Sequence, residues 1–477
     1  MPITVKLLPI SEIQRFMRAV GAVVVLLVPA TAQAAEYRVG PAQPLSEIEE
    51  VPWESLEPGD RVLIHARSEP YRSKWVITRR GTADAPITIT GIPDVAGTLP
   101  IIDGRDAVTR PALNFWGEER GVIKIGGANR PADVMPAHIV IENLEVRSGR
   151  QPFFFTGRSG KTAYLKNAAS IFIEKGEHIT LRGCRLRDSG NGLFSSPNTK
   201  NIVVEHCSIF DNGVEGSIYE HNNYTNTQGI TFQFNHFGSL REGCPGNNLK
   251  DRSSGMIVRY NWIEGGNRCL DLVDGAHKDS EAYGNTYVYG NVLLKPDDHG
   301  NNQVVHYGGD SDDTDRYRKG TLHFFHNTVV SYRTATTVLF RLSTADESVE
   351  CRNNVFYVSA PGRHLAILTE GGRAELFRNW IKPGWRVSHG GQGGQVRGRE
   401  RLIEGDAPGF ADAEDRDYRP VEAAPTAGAA EPLPPTLNAE HPVEFEYIPH
   451  RGKAPRSQKK LLSLGALEPA TLDPTSR

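Results

Sequence analysis

The sequence has few cysteines, no block of like charge and only one long apolar run. Its five cysteines include no C-x-x-C pair, which argues against a structural zinc site, and their odd number leaves at least one thiol unpaired within the chain. Lysine and arginine (54) nearly balance aspartate and glutamate (57). Because no basic cluster is present, we expect no nucleic-acid partner.

The one long apolar run lies near the N-terminus. Residues 19–30 read AVGAVVVLLVPA, about half of the roughly 20 apolar residues that a transmembrane helix needs. The small-x-small pattern Ala32-Gln33-Ala34 follows, so residues 1–34 are predicted to be a secretory signal peptide. A membrane anchor is the alternative. No later segment of the sequence is apolar enough to span a bilayer, so we expect a secreted or periplasmic protein without a transmembrane segment.

A short β-strand unit recurs along the rest of the chain, as in Ile179-Thr-Leu-Arg-Gly-Cys184 and Met256-Ile-Val-Arg-Tyr-Asn261. Its alternating apolar and polar residues predict a strand with one face turned inward. The units bend at positions 23 to 36 residues apart, namely Cys184, Cys207, Asn235, Asn261, Asn291, Asn327, Asn354 and Asn379. Constant strands joined by variable loops predict a β-solenoid with stacked Asn bends, and they disfavour a β-propeller or a strict repeat.

The three bend positions nearest the N-terminus are Asn143, Cys184 and Cys207. An earlier unit, beginning at Ile139, places Asn143 at the same bend. Cys184 and Cys207 fall on neighbouring coils, about one strand spacing of roughly 4.8 Å apart. We interpret these two cysteines as small buried residues, with a disulfide between them as the alternative.

Two flanking segments carry a family resemblance. Residues 57–104 contain PGDRV and, further on, GTADAPITITG, while Asp406-Ala-Pro-Gly-Phe and Asp417-Tyr-Arg-Pro stand near the end of the chain. Together with the strand units, these segments resemble the right-handed parallel β-helix superfamily of carbohydrate-active proteins, in particular the alginate lyase and chondroitinase B group. The resemblance spans roughly residues 36–470. It implies an all-β, single-stranded, right-handed parallel β-helix.

The chain divides into three predicted parts. After the signal peptide (1–34), the parallel β-helix covers residues 35–380, and an irregular tail over 381–477 packs on the end of the helix. Residues 45–56, LSEIEEVPWESL, predict a short amphipathic helix that caps the first coil. We expect a monomer.

Aligning the second strand of each coil predicts two columns of outward-pointing side chains, because successive side chains of a strand point to opposite faces. The first column contains Tyr219, Lys250, Asp271 and His306, and the second contains Ser196, His221, Arg252 and Val273. A solenoid presents such a surface as a long groove that suits a polymer chain. The predicted partner is an anionic polysaccharide.

β-Elimination on a uronic-acid polysaccharide fits these residues. The reaction removes the proton on C5 of the sugar and needs a cation to neutralise the neighbouring carboxylate. We assign Lys250 as the base, Arg252 as the carboxylate neutraliser, and His221 or Tyr219 as the acid. The residues expected to bind substrate beside them are Asp271, His306, Arg268 and Asp274.

Other functions remain open. In several related lyases an Arg follows the Lys by about one coil, whereas Asp271 holds that place here. Asp271 and Asp274, with Asp251 or Glu220, could instead form the carboxylate pair of a glycoside hydrolase, although alternation turns Asp251 and Glu220 inward. A uronate epimerase and a non-catalytic glycan-binding solenoid are further alternatives.

No cofactor is required by this chemistry, and Ca²⁺ is the one candidate. The acidic loop Asp310-Ser-Asp-Asp-Thr-Asp315 offers several carboxylate oxygens, which are the ligands that Ca²⁺ prefers. Such a run also occurs as an ordinary solvated loop.

Overall fold

The computed structural model describes residues 34–297, 300–369, 371–390, 393–456 and 461–470. The predicted signal peptide lies outside these residues, except for Ala34. The described chain winds into a parallel β-helix, as the sequence predicts. Within the described ranges, no helix is long and apolar enough to cross a membrane.

Each coil contributes strands to three parallel faces, called the first, second and third face in the order in which the chain visits them. Paired strands come from consecutive coils; for example, Leu249–Asp251 pairs with Asn223–Thr225 on one side and with Leu270–Leu272 on the other. Paired strands of consecutive coils lie in register, so their inward side chains stack in columns and form one continuous apolar core.

Along the chain, each first-face strand from Ile87–Ile92 onward is followed by a bend and then by a strand of the second face. The first face consists of Glu36–Val39, Arg61–His65, Ile87–Ile92, Ala137–Glu142, the second halves of Ala169–Arg182 and Asn191–Glu205, Gln228–Gln233, Ser254–Arg259, Asn285–Tyr289, Thr321–Phe325, Ser348–Arg352, Arg373–Leu376 and Gln395–Arg397. The second face consists of Ile101–Asp103, Glu145–Arg147, Arg185–Arg187, Ser208–Ile209, His236–Phe237, Trp262–Glu264, Val292–Lys295, Thr328–Ser331, Val355–Val358, Trp380–Ile381 and Ile403–Glu404.

The third face carries the predicted functional columns. It consists of Ser73–Ile77, Ala107–Thr109, Gly121–Ile125, the first halves of Ala169–Arg182 and Asn191–Glu205, Asn223–Thr225, Leu249–Asp251, Leu270–Leu272, Gln303–Tyr307, Thr337–Leu342, Leu365–Leu368 and Arg386–Ser388. Two long strands bend from the third face into the first face and so join the two sheets.

The remaining elements are short. Antiparallel strand pairs are Asn114–Phe115 with Ala128–Arg130, Phe154–Gly157 with Gly160–Ala163, Phe410–Asp412 with Asp417–Pro420, and Phe445–Ile448 with Gly452–Pro455. Among the described residues, the 3-10 helices are Ile48–Glu50, Trp53–Ser55, Glu118–Arg120, Glu281–Gly284, Thr314–Arg316, Gly362–His364 and Arg399–Arg401, and an α-helix spans Pro435–Glu440.

A buried amide ladder forms the bend between the first and second faces, which confirms the predicted Asn stack. Asn261 Oδ1 accepts hydrogen bonds from the backbone N–H (3.0 Å) and from Nδ2 (2.9 Å) of Asn235. Asn261 Nδ2 in turn donates to Asn291 Oδ1 at 2.9 Å. The pattern continues to Asn379, and each ladder side chain is fully buried. The ladder therefore fixes which residues of consecutive coils lie on the same rung.

The first predicted rung is wrong by one residue. Glu142 pairs with Arg182, so Asn143 lies opposite Gly183 and Leu144 lies opposite Cys184. Asn143 has a left-handed backbone (φ 56°), as has Gly183 (φ 64°). Asparagine tolerates this conformation, which explains its presence one position before the ladder.

The cysteines at the bend are small buried residues, as predicted. Cys184 and Cys207 are fully buried and both are free thiols. They continue the column of ladder side chains towards the N-terminal coils, since Cys207 N–H donates to Asn235 Oδ1 at 2.9 Å.

The N-terminal cap differs from the single helix predicted over 45–56. Two 3-10 helices, Ile48–Glu50 and Trp53–Ser55, lie there instead. Pro52 would fall inside the predicted helix, where proline removes a hydrogen bond and clashes with the preceding turn. The capping function is kept, because Trp53 is fully buried and stacks on Trp75 with ring centroids 4.8 Å apart.

The coils continue beyond residue 380, to the pairing of Trp380–Ile381 with Ile403–Glu404. The tail that follows lies along the side of the helix. Trp262 of the second face packs against Tyr418 and Tyr447, with ring centroids 5.7 and 6.2 Å apart. The tail therefore covers an apolar flank of the second face, whereas the sequence suggested that it would cover the end.

We predict that Asn291→Ala strongly destabilises the fold. Asn291 Nδ2 donates to three oxygens and its Oδ1 accepts from Asn261, so truncation leaves several buried groups unpaired. Each unpaired group costs about 1–3 kcal/mol, and urea titration should show a loss of about 3 kcal/mol or more. Asn198→Ala, at an exposed position, is the control and should change stability by about 0.5 kcal/mol at most. Equal losses in both variants would contradict a structural role for the ladder.

Candidate functional site

One outward column of the third face gathers most of the predicted ionisable residues. Strand register places Tyr224 beside Lys250, Lys250 beside Asp271, Asp271 beside His306, and His306 beside Arg341. The predicted order of Lys250, Asp271 and His306 is therefore observed. Tyr224 and Arg341 are the members that the sequence alignment did not place in this column.

Tyr219 does not belong to the column, so its predicted alignment is wrong. The third-face strand of this coil is Asn223–Thr225, and Tyr219 lies in the preceding loop with 71% of its surface exposed. A second set of buried amides sets this register: Asn222 Nδ2 donates to Asn248 Oδ1, and Asn222 Oδ1 accepts from Asn212 Nδ2, both at 3.0 Å. These bonds place the residue after Asn222 opposite the residue after Asn248.

The second predicted column does not form as a continuous row. Its members were Ser196, His221, Arg252 and Val273. Val273 is fully buried, and His221 precedes the strand Asn223–Thr225. Arg252 follows the strand Leu249–Asp251 directly and still contributes to the site.

A carboxylate from the acidic loop bridges the two predicted cations. Asp310 Oδ2 lies 2.5 Å from Lys250 Nζ, and Asp310 Oδ1 lies 2.7 Å from an Arg252 nitrogen. The Asp310 side chain is 30% exposed, compared with 7% for Lys250 and 19% for Arg252. Asp310 thus covers a pair of cations that both point at a single carboxylate position.

Asp271 is the buried centre of the column. Its Oδ2 accepts hydrogen bonds from Lys250 Nζ (2.5 Å) and Asn247 Nδ2 (2.8 Å), while its Oδ1 lies 2.8 Å from His306 Nδ1 and 3.5 Å from Arg268. Burial alone raises the pKa of Asp271, but Lys250, His306 and Arg268 together hold the pKa well below its usual range. Asp271 is therefore an anion that positions the groups around it.

His221 and Tyr224 lie next to the bridged cations. His221 Nδ1 accepts the Asn247 backbone N–H at 2.9 Å, so the neutral ring carries its proton on Nε2. Burial, reinforced by the charge of Lys250, lowers the pKa of His221 to about 3. Tyr224 packs edge-on against His221, with ring centroids 5.3 Å apart, and its hydroxyl accepts a hydrogen bond from Arg252 Nε at 3.0 Å.

The carboxylates of the hydrolase alternative are tied into the structure. Asp251 is fully buried and contacts Thr225, and burial raises its pKa to about 6. Glu220 is also buried, in the loop before its strand. Asp274 accepts hydrogen bonds from Ser311 Oγ (2.7 Å) and from the Asp310 backbone (2.8 Å), so it anchors the acidic loop. This arrangement does not favour a carboxylate pair for glycoside hydrolysis.

The acidic loop gives no support to the calcium prediction. Among the described residues, no group of three or more His, Cys, Asp or Glu side chains is arranged to hold a metal ion. Asp310 is paired with Lys250 and Arg252, and Asp313 caps its own turn by accepting the Asp315 backbone N–H at 3.2 Å.

Comparisons with known proteins give similarity at the level of architecture. No protein-family model matches the sequence, and no curated protein matches it. Similar solved structures include an alginate lyase from Paenibacillus sp. str. FPU-7 (11% identity, 72% of this chain and 92% of that chain, TM-score 0.44). They also include pectate lyase Pel9A (13%, 92% and 98%, 0.48) and the GH136 lacto-N-biosidase from Eubacterium ramulus (10%, 82% and 70%, 0.40). At these scores, the assignment of a parallel β-helix rests on the strand pairing of the chain itself.

Sequence reasoning missed the role of three residues in the site. Tyr224 and Asn247 were given no role from the sequence, and Asp310 was recognised only as part of an acidic loop. The usable signal was the Asn-Asn dipeptide, which occurs at 222–223 and again at 247–248. The observed register aligns the first Asn of one dipeptide, Asn222, with the second Asn of the other, Asn248, and so places Tyr224 opposite Lys250.

We predict that His221 makes stability depend on pH. With a pKa of about 3 in the folded protein against an ordinary 6.5, its contribution is complete above about pH 6.5 and is lost as the pH falls towards 3, because only the unfolded chain takes up the proton. Urea unfolding at about pH 7.5, above that range, and at about pH 5, within it, should show a larger loss of stability on acidification for wild type than for His221→Gln. His364→Gln, at a partly exposed position, should behave like wild type; identical losses in all three proteins would refute the assignment.

Proposed function

We propose that this protein cleaves an acidic, uronic-acid-containing polysaccharide by β-elimination at the Lys250–Arg252 site. The observation that carries this proposal is the single carboxylate held by both cations: Asp310 lies 2.5 Å from Lys250 and 2.7 Å from Arg252. A uronate carboxylate can take the same position once Asp310 moves away. Two cations at that carboxylate stabilise the negative charge that develops when the C5 proton leaves.

Lys250 fits the role of a second neutralising cation better than the role of base that the sequence suggested. Its ammonium lies 2.5 Å from both Asp271 and Asp310. When a substrate replaces Asp310, Asp271 still contacts Lys250. The positive charge of Lys250 is therefore available to the substrate carboxylate alongside that of Arg252.

Tyr224 is the better candidate for proton transfer. Its hydroxyl oxygen accepts a hydrogen bond from Arg252 at 3.0 Å, so the phenolic proton points elsewhere, and a phenolate formed there would stay beside the guanidinium. A phenolate takes the C5 proton, and the resulting phenol returns a proton to the leaving glycosidic oxygen. His221 presents its Nε2–H as a neutral hydrogen-bond donor.

The surface on the N-terminal side of Tyr224 suits a sugar chain. Phe194 and Phe172 continue the column. The Arg120 guanidinium lies over them, 5.0 and 4.6 Å from their ring centroids. Phe172 is buried and Phe194 is partly exposed, so it is Phe194, with the adjacent Arg120 guanidinium, that matches the apolar face and the carboxylate of an acidic sugar. We propose a secreted or periplasmic enzyme, in line with the predicted signal peptide.

We predict that Tyr224→Phe lowers kcat by about 10²–10⁴-fold, because it removes the hydroxyl that transfers the proton. Lyase activity is measured as the ultraviolet absorbance of unsaturated uronate ends on a panel of acidic polysaccharides. Tyr219→Phe is the matched control and should retain wild-type activity, since Tyr219 lies in the exposed loop. Reducing ends without new absorbance would indicate hydrolysis, and binding without either product would indicate a glycan-binding protein.

We predict that Asp310→Asn lowers KM about fivefold at an unchanged kcat. The variant removes a carboxylate that competes with the substrate for both cations, and a partly exposed ion pair contributes about 1 kcal/mol. Asp312→Asn removes an exposed charge from the same loop and should leave KM at the wild-type value. A higher KM in Asp310→Asn would show that Asp310 assists substrate binding.

A further inference from the structure

His306 connects the buried carboxylate of Asp271 to a serine hydroxyl. Its Nδ1 lies 2.8 Å from Asp271 Oδ1, and its Nε2 lies 2.9 Å from Ser343 Oγ. Because an ionised carboxylate only accepts hydrogen bonds, Nδ1 carries the proton, and Nε2 of the neutral ring is an acceptor for the serine hydroxyl. The Gly309 carbonyl oxygen, also 2.9 Å from Ser343 Oγ, is a second acceptor. This is the order of groups that activates a serine nucleophile.

The position of Ser343 is fixed by close backbone contacts. Gly309 N–H donates to Ser343 Oγ at 2.9 Å. A side chain at Gly308 would place its Cβ 2.6 Å from the same oxygen, and Gly308 has φ 131°, so only glycine fits there. Asp271 and His306 are each 1% exposed, whereas Ser343 is half-buried. The base is therefore sheltered, and Ser343 is the member of the three residues that is partly exposed.

A cation stands next to this serine. Arg341 is the outward residue two positions before Ser343, about 7 Å away along the chain. Arg341 also lies opposite His306 in the strand register. Among the residues that the structure describes, none forms an ion pair with Arg341, so its charge is available to an anion.

We propose that Ser343, His306 and Asp271 form an acyl-transfer site that hydrolyses O-acyl esters, such as O-acetyl groups, on a polysaccharide. Ser343 Oγ attacks the ester carbonyl while its proton passes to His306 Nε2. The C–O bond to the sugar then breaks, and the sugar oxygen leaves with that proton. Water, activated by His306, attacks the acyl-serine and releases the carboxylic acid and free Ser343. Arg341 stabilises the oxyanion of each tetrahedral intermediate. The activity is separate from β-elimination.

The direct test is covalent labelling of the full-length protein with a fluorophosphonate, whose fluoride an activated serine oxygen displaces. Peptide mass spectrometry should locate the adduct on Ser343. Labelling should be lost in Ser343→Ala and retained in Ser348→Ala, a control serine on the first face. The absence of an adduct in wild type, or an adduct at another residue, would overturn the proposal. Ser343→Ala changes one small side chain, and circular dichroism checks its fold.

A second measurement follows acetate released from an O-acetylated uronate polymer. Wild type should release acetate, and Ser343→Ala should release it at least about a thousandfold more slowly. The same polymer after chemical deacetylation reports β-elimination alone through its ultraviolet absorbance. Acetate release without absorbance would leave the ester site standing and remove the lyase proposal. Absorbance without Ser343-dependent acetate release would leave the lyase proposal standing and remove the ester site.

Burial lowers the pKa of His306, so the ring is unprotonated at neutral pH. Labelling should therefore proceed at a constant rate from neutral pH to below the ordinary histidine value of about 6.5, and then fall as the ring takes up a proton. A rate that rises steadily through neutral pH would instead indicate a serine that reacts without His306.

Discussion

The buried amide ladders are the constraint on which the rest of the molecule depends. Each Asn of the main ladder accepts hydrogen bonds from the preceding coil and donates one to the Asn of the next coil, so the ladder fixes which residues lie on the same rung. A shift of one residue would turn every outward side chain inward and would leave several buried amides unpaired. The column of Tyr224, Lys250, Asp271 and His306 exists because this register is fixed at the Asn bend and, around Asn222 and Asn248, at a second corner of the coil.

On the outer surface, Asp271 fixes the positions of charged side chains, as the ladder fixes the positions of the coils. One fully buried carboxylate contacts Lys250 through one oxygen and His306 through the other. It thereby holds the ammonium beside Arg252 and fixes the imidazole tautomer that accepts the Ser343 proton. Taking this carboxylate out of water is costly, and the surrounding cations and amide offset that cost. In the proposed reaction, an aspartate at this position leaves the neutralisation of charge to Lys250 and Arg252.

The sequence predicts the fold well and the site in part, for a physical reason. The Asn261 and Asn291 bends are visible because the ladder needs one residue type at one position in every coil. Tyr219 was misplaced because Ile218-Tyr-Glu-His also alternates, and alternation alone does not show where a strand begins. Asp310 and Ser343 were not assigned because they lie in loops whose paths depend on tertiary contacts. The single cap helix predicted from the amphipathic pattern is interrupted at Pro52, because proline cannot donate the backbone hydrogen bond that a helix needs there.

The two proposed reactions lie on a single polymer path. Lys250 and His306 are separated by one intervening rung, so the sites are about two strand spacings, or roughly 10 Å, apart along the groove. A chain bound in the groove can therefore present a uronate to Lys250 and Arg252 while a nearby sugar presents an ester to Ser343. Acyl groups on a uronate would add bulk beside the carboxylate that takes the position of Asp310. Removing the ester one or two sugars before the cleavage position would clear that obstacle, which gives a physical reason for both sites to share Asp271.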